Sequence, residues 1–133
     1  MVRLVQCFLA VRTINESNNR DSWRKRARRV KAQRLAARQR VAACIVGVHL
    51  PLVVTLTRVG ARKLDSDGVP SALKAIRDGV ADALGVDDGR DDLVQWRYAQ
   101  QFGPRQVHGV QIEITQGEPC ATETTTTKGN ASR

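Results

Sequence analysis

Residues 50–85 read LPLVVTLTRVGARKLDSDGVPSALKAIRDGVADALG: an apolar, β-branched run, a polar link, and then an apolar pattern of helical period. The run at 50–59 favours extended backbone and sets Leu52, Val54 and Leu56 on one face, with Val53, Thr55 and Thr57 on the other. Pro70 opens the helical part, at a position where its missing N–H costs little. Leu73, Ile76, Val80 and Leu84 then form an apolar stripe, Asp78 and Asp82 point to the opposite, solvated side, and Gly85 supplies a stop.

The flanks extend this pattern. Residues 2–12 alternate loosely and predict a first strand, and NESNNRDSW (15–23) is turn-prone, with several residues able to cap a helix. A helix follows from Trp23 to about Ile45, with Trp23, Ala27, Val30, Ala37, Val41 and Ile45 on one stripe. Trp23 is expected as a core anchor and Cys44 as a small core residue; Arg34 falls on the stripe and must snorkel or sit at its edge. Downstream, 93–99 sets Val94, Trp96 and Tyr98 on one face, and 107–115 sets Val110, Ile112 and Ile114 on one face. Both predict strands, paired antiparallel through QQFGPRQ. The order strand-helix-strand-helix-strand-strand predicts one small α/β (α+β) domain over 1–115, a mixed sheet with two helices. Residues 116–133, including TETTTT, lack apolar anchors and predict a disordered tail.

With 133 residues the chain suits a single domain with a modest core. Cys7, Cys44 and Cys120 are odd in number and lack C-x-x-C spacing, which argues against a disulfide framework or zinc site and suits a reducing cytosol. The opening residues read as a strand, not a signal peptide, and no apolar run approaches the ~20 residues of a membrane helix. A cytoplasmic protein is expected.

The net charge of +9 is concentrated. Residues 20–40 carry ten Lys/Arg and one acid, a balance of +9, so the rest of the chain is neutral. Residues 65–92 hold eight of the thirteen acids against three bases, a balance of −5. A solvated face rarely needs so dense a cationic segment; a polyanion relieves its self-repulsion, and nucleic acid is the natural partner. The apolar face of this helix is mostly alanine and valine, which suits a core better than a membrane surface.

The acids suggest chemistry. Asp65 and Asp67 lie where strand gives way to helix, and Asp87 and Asp88 lie just past that helix. If the chain returns over the sheet, the pairs meet, and converging carboxylates would require a divalent cation; Mg2+ suits such oxygen ligands. The plainer alternative is a turn in which Asp67 or Ser71 caps the helix. A calcium EF-hand fits poorly, because the twelfth position from Asp65 is Ile76. Asp78, Asp82, Asp91 and Asp92 read as surface charge, and His49 and His108 as structural. No serine or cysteine nucleophile constellation and no phosphate-cradling glycine loop is present.

Taken together, ESNNRDSW, the basic helix, a strand, a basic link and LDSDGVPSALKAIRDGVADALGVDD resemble the RusA-type Holliday-junction resolvases of phages and prophages over roughly residues 4–115. The resemblance implies a homodimeric, Mg2+-dependent endonuclease that cuts four-way junctions or other branched DNA, in a bacterial or phage-infected cytoplasm. It implies metal ligands at Asp65, Asp67 and Asp88, with Asp87 a close alternative, and a functional role for Lys74 at the phosphate. It implies DNA contacts from Asn18, Asn19, Arg20, Arg24, Lys25, Arg26, Arg28, Arg29, Lys31, Arg62 and Lys63, and no small-molecule cofactor. One position departs: the family usually has asparagine after the second aspartate, and here it is Gly68. A non-catalytic basic DNA-binding protein on the same fold is the alternative, and an RNA-binding or ribosome-associated protein is a third.

Overall fold

The structure is a computed structural model that describes residues 3–11, 13, 22–45, 49–61, 63–64, 67–87, 92–104 and 107–117. Six elements follow in order: β1 (Arg3–Leu9), α1 (Trp23–Ala42), β2 (Leu52–Gly60), α2 (Gly68–Leu84), β3 (Val94–Phe102) and β4 (Gly109–Gln116). They make the predicted α+β domain of a mixed four-stranded sheet and two helices. Among the described residues no helix is long and apolar enough to cross a membrane.

The strand order is β1-β4-β2-β3. β2 and β3 are joined by α2 and run parallel, as a helical crossover requires, while β4 lies between β1 and β2 and is antiparallel to both. This corrects the expected β3–β4 hairpin. The link after β3 instead passes the end of β2, where the Gly103 N–H donates to the Gly60 carbonyl at 3.2 Å. Burial explains the choice of slot. Val110, Ile112 and Ile114 of β4 are fully buried, as an interior strand allows, whereas β3 exposes Gln95, Arg97 and Gln101, which an edge tolerates.

Both helices cover one face. Val5, Cys7, Leu9, Leu52, Val54, Leu56, Val94 and the three β4 residues meet Ala37, Val41, Val69, Leu73, Ile76 and Val80 in one core. α2 ends as its sequence predicts: Gly85 adopts φ 72°, and the Val86 N–H reaches back to the Ala81 carbonyl at 3.1 Å. β4 continues to Gln116, whose Nε2 donates to the Pro51 carbonyl at 2.7 Å, and Gly117 is buried, so the folded chain passes the expected boundary at 115. The rest of the expected tail, 118–133, lies outside the described residues.

α1 starts at Ser22, whose Oγ accepts from the Lys25 N–H at 3.3 Å. Only its second half is embedded, through Gln33, Ala37 and Val41. Trp23 is 73% exposed, with the Arg24 guanidinium 5.4 Å from its ring centroid, so it is not the expected core anchor. The apolar stripe is on the correct side, but the helix outruns the layer beneath it. The two helices run antiparallel: Gly79 lies against Arg34, Ala37 and Arg38, and Arg34 pairs with Asp82. That direction carries the basic first half of α1 past the carboxyl end of α2.

The Arg34–Asp82 pair is bidentate, at 2.7 and 2.9 Å, and places Arg34 at the edge of the stripe as expected. Its hydrogen bonds hold the Asp82 carboxyl below the usual carboxylate range. A depressed carboxyl pKa contributes stability above the unfolded value and loses it as pH falls through the folded one. Both side chains are partly solvated, so Asp82→Asn should cost only about 0.5 kcal/mol near neutrality. In urea titrations the difference from wild type should vanish below the folded pKa of Asp82.

Candidate functional site

Of the four candidate acids, the two that are described, Asp67 and Asp87, lie at opposite ends of α2. Asp67 stands at its N-cap, exposed, and its side chain makes no capping hydrogen bond, so the plain capping alternative is not what the carboxylate does. Gly68 is the first, buried residue of the helix. Asp87 follows the other end, exposed, beyond Gly85. Seventeen residues of helix span about 25 Å, so Asp67 and Asp87 of one chain do not share a coordination sphere. The return of the chain does not close this gap: β3 starts at the Asp87 end and runs back, parallel to β2, towards Gly60. Asp65 and Asp88 lie outside the described residues, and among the described ones no three His, Cys, Asp or Glu gather as a metal site.

The Asp67 end lies at the carboxyl ends of parallel β2 and β3, where open α/β sheets bind ligands. Leu64, just before the acidic loop, is bracketed by one side chain: its N–H donates to Gln100 Oε1 and its carbonyl accepts from Gln100 Nε2, each at 2.9 Å. Beneath this end Arg58 is 8% exposed, its Nε donating to Thr13 Oγ1 at 3.1 Å, and burial lowers its pKa. Along the next turns of α2, Pro70, Ser71, Lys74 and Arg77 line a depression of about 430 Å³ with Tyr98. Arg77 donates to Tyr98 Oη at 3.0 Å and lies 4.9 Å from the Trp96 ring centroid.

Lys74 is well exposed and reaches Asp78 at 3.4 Å. Together with Arg34, Asp78, Asp82 and Asp87 it lines a groove of about 360 Å³ leading towards the second end. Asp78 and Asp82, expected as surface charge, are thus both engaged by cations. At this end projects the first half of α1, with Arg24, Lys25, Arg28 and Lys31 exposed and Arg26 and Arg29 half-buried. Lys63 is exposed at the Asp67 end; Asn18, Asn19, Arg20 and Arg62 lie outside the described residues.

Arg58, Arg77 and Gln100 were not anticipated. Arg58 had a signal, a charge continuing the buried alternation of Leu52, Val54 and Leu56. Gln100 had none, since its role depends on Leu64, 36 residues earlier. Gln100→Leu should remove both bracketing bonds and lower stability by about 1–2 kcal/mol. If the acidic loop acts on DNA, cleavage should fall further than stability does, which urea unfolding and nicking rates measured side by side would show.

No family model matches the sequence, and no curated protein or solved structure matches it significantly.

Proposed function

We propose that the protein is a structure-selective, Mg2+-dependent endodeoxyribonuclease that resolves four-way or other branched DNA, working as a cytoplasmic homodimer. The observation that carries the reading is the placement of charge on α1. Its first turn holds Arg24, Lys25 and Arg26 and no acid, although the helix dipole disfavours each cation there by about 0.3–1 kcal/mol. A segment that projects from the core and carries cations against its own dipole suits a phosphate backbone, which it would hold with little regard to sequence.

The separation of the acids shapes the rest. Each end of α2 offers half of a carboxylate set, and in a two-fold dimer each end of one α2 can meet the opposite end of its partner, giving two equivalent sites. Asp65 and Asp67 of one chain, with Asp88 or Asp87 of the other, would then hold the metal. The exposed Asp67 carboxylate, free of a capping bond, suits a hard oxygen-seeking cation. Mg2+ held there would activate water and offset charge developing on the phosphodiester. Gln100 holds Leu64, the residue before the first pair, and Lys74, about two turns along α2 from Asp67, would meet the phosphate backbone.

The test is a labelled four-way junction incubated with protein and Mg2+. Paired symmetric nicks support the reading. Binding without nicks across several divalent metals assigns the protein to the rival, a non-catalytic DNA-binding protein for which Gly68 is the motivating departure. Preference for structured RNA in competition would overturn both.

A further inference from the structure

At the carboxyl end of α1, two cysteines and a guanidinium form a cluster that the proposed nuclease does not use. Cys44 follows the helix, its N–H donating to the Val41 carbonyl at 2.9 Å, and is half-buried rather than the plain core residue expected. Arg40, one turn earlier, donates from Nη1 to Cys44 Sγ at 3.2 Å and from Nε to the Phe8 carbonyl at 3.2 Å. The second bond anchors the guanidinium to β1 beside Cys7, which is buried. Cys44 packs against the core cluster that contains Cys7, which brings the two thiols into electrostatic contact. Burial first, and Cys44 next, push the Cys7 thiol up, with Arg40 partly opposing them. Cys44 is thus partly exposed with a cationic donor on its sulfur, and its neighbour is buried and held towards the thiol form. Reactive cysteines sit in partly exposed, electropositive surroundings such as that of Cys44.

We infer that Cys44 and Cys7 are a reversible redox pair in which Cys44 attacks and Cys7 resolves, giving an intrachain disulfide between α1 and β1. With a small disulfide such as oxidised glutathione, the Cys44 thiolate attacks one sulfur, the S–S bond breaks, and one glutathione thiolate leaves. Cys7 then gives its proton to that thiolate and attacks Cys44 Sγ of the mixed disulfide, expelling the second glutathione. Two protein thiols become one disulfide, and the two electrons reside on two reduced glutathiones. The crosslink closes residues 8–43 into a loop that contains all of α1, and fixes the inner end of the basic helix to the sheet. This inference is independent of the nuclease reading.

The test uses full-length protein with Cys120→Ser, so that Cys7 and Cys44 are the remaining thiols. It is equilibrated in reduced and oxidised glutathione mixtures, alkylated and weighed intact. The expected product has lost two hydrogens, takes up no alkylating agent, unfolds at a higher temperature and reverts in reduced glutathione. Cys7→Ser should stop at the glutathione adduct on Cys44, and Cys44→Ser should form no crosslink. Arg40→Met should slow the first step several-fold, since it removes the donor from the attacking Cys44 sulfur. Two alkylatable thiols under oxidising mixtures, or a stable glutathione adduct while Cys7 is present, would overturn the inference.

Discussion

Asp67→Asn should abolish Mg2+-dependent cleavage of a four-way junction while leaving junction binding equal to wild type or tighter. The substitution keeps the shape of a side chain that is exposed and makes no capping bond, so the fold should not notice it. It removes one anionic oxygen ligand, and loss of a ligand should exceed the roughly 10–100-fold penalty typical of groups that merely support one. It also removes a negative charge from a surface that approaches phosphate, which accounts for the tighter binding. Nicking rates and junction affinity, measured at the same salt, separate the two effects. Parallel loss of binding and cleavage would count against a metal role for this carboxylate.

Gly79→Ala should destabilise the protein by about 2–3 kcal/mol, and Gly79→Val should prevent its accumulation as a folded protein. A Cβ at position 79 would fall on the Arg34 carbonyl oxygen, 2.8 Å from Ala37 Cβ and 3.0 Å from the Arg38 nitrogen. Two of these neighbours are backbone atoms of α1 and cannot rotate away, so the helices would have to separate. Intrinsic propensity argues the other way, favouring alanine over glycine inside a helix by about 1 kcal/mol. The sign of the change in a urea titration therefore tests the close helix–helix approach directly. For a domain with about 5–15 kcal/mol of stability the loss is a large fraction of the whole. It would also loosen α1, the proposed DNA-gripping element, without touching any residue assigned to DNA.

Much of the fold is visible in residues 50–85, because a period of two and a period of 3.6 follow one another there and Gly85 closes the helix in a left-handed turn. The apolar alternation of Val110, Ile112 and Ile114 likewise announces a strand. Its partner is not visible: the segment through Gly103 and Pro104 could turn a hairpin or cross β2, and only the burial available between β1 and β2 decides. Trp23 misleads for a related reason, since periodicity reports the face of a residue but not whether anything lies beneath it. The acidic pairs are legible as pairs, but the distance between Asp67 and Asp87 is set by α2, and the backward run of β3 preserves it. Gln100 and the Cys7–Cys44–Arg40 cluster depend on contacts between distant segments, which local pattern does not encode.

The most direct measurement of the central claim uses mixed dimers. Asp67→Asn chains and Asp88→Asn chains, each inactive alone, are unfolded together, refolded and given a labelled four-way junction with Mg2+. Sites shared between two chains predict that the mixture regains cleavage, one nick per junction where wild type makes two, because each mixed dimer keeps one site with both aspartates intact. A mixture as inactive as its parents beside an active wild type would contradict the shared site, and an inactive wild type would contradict the nuclease itself.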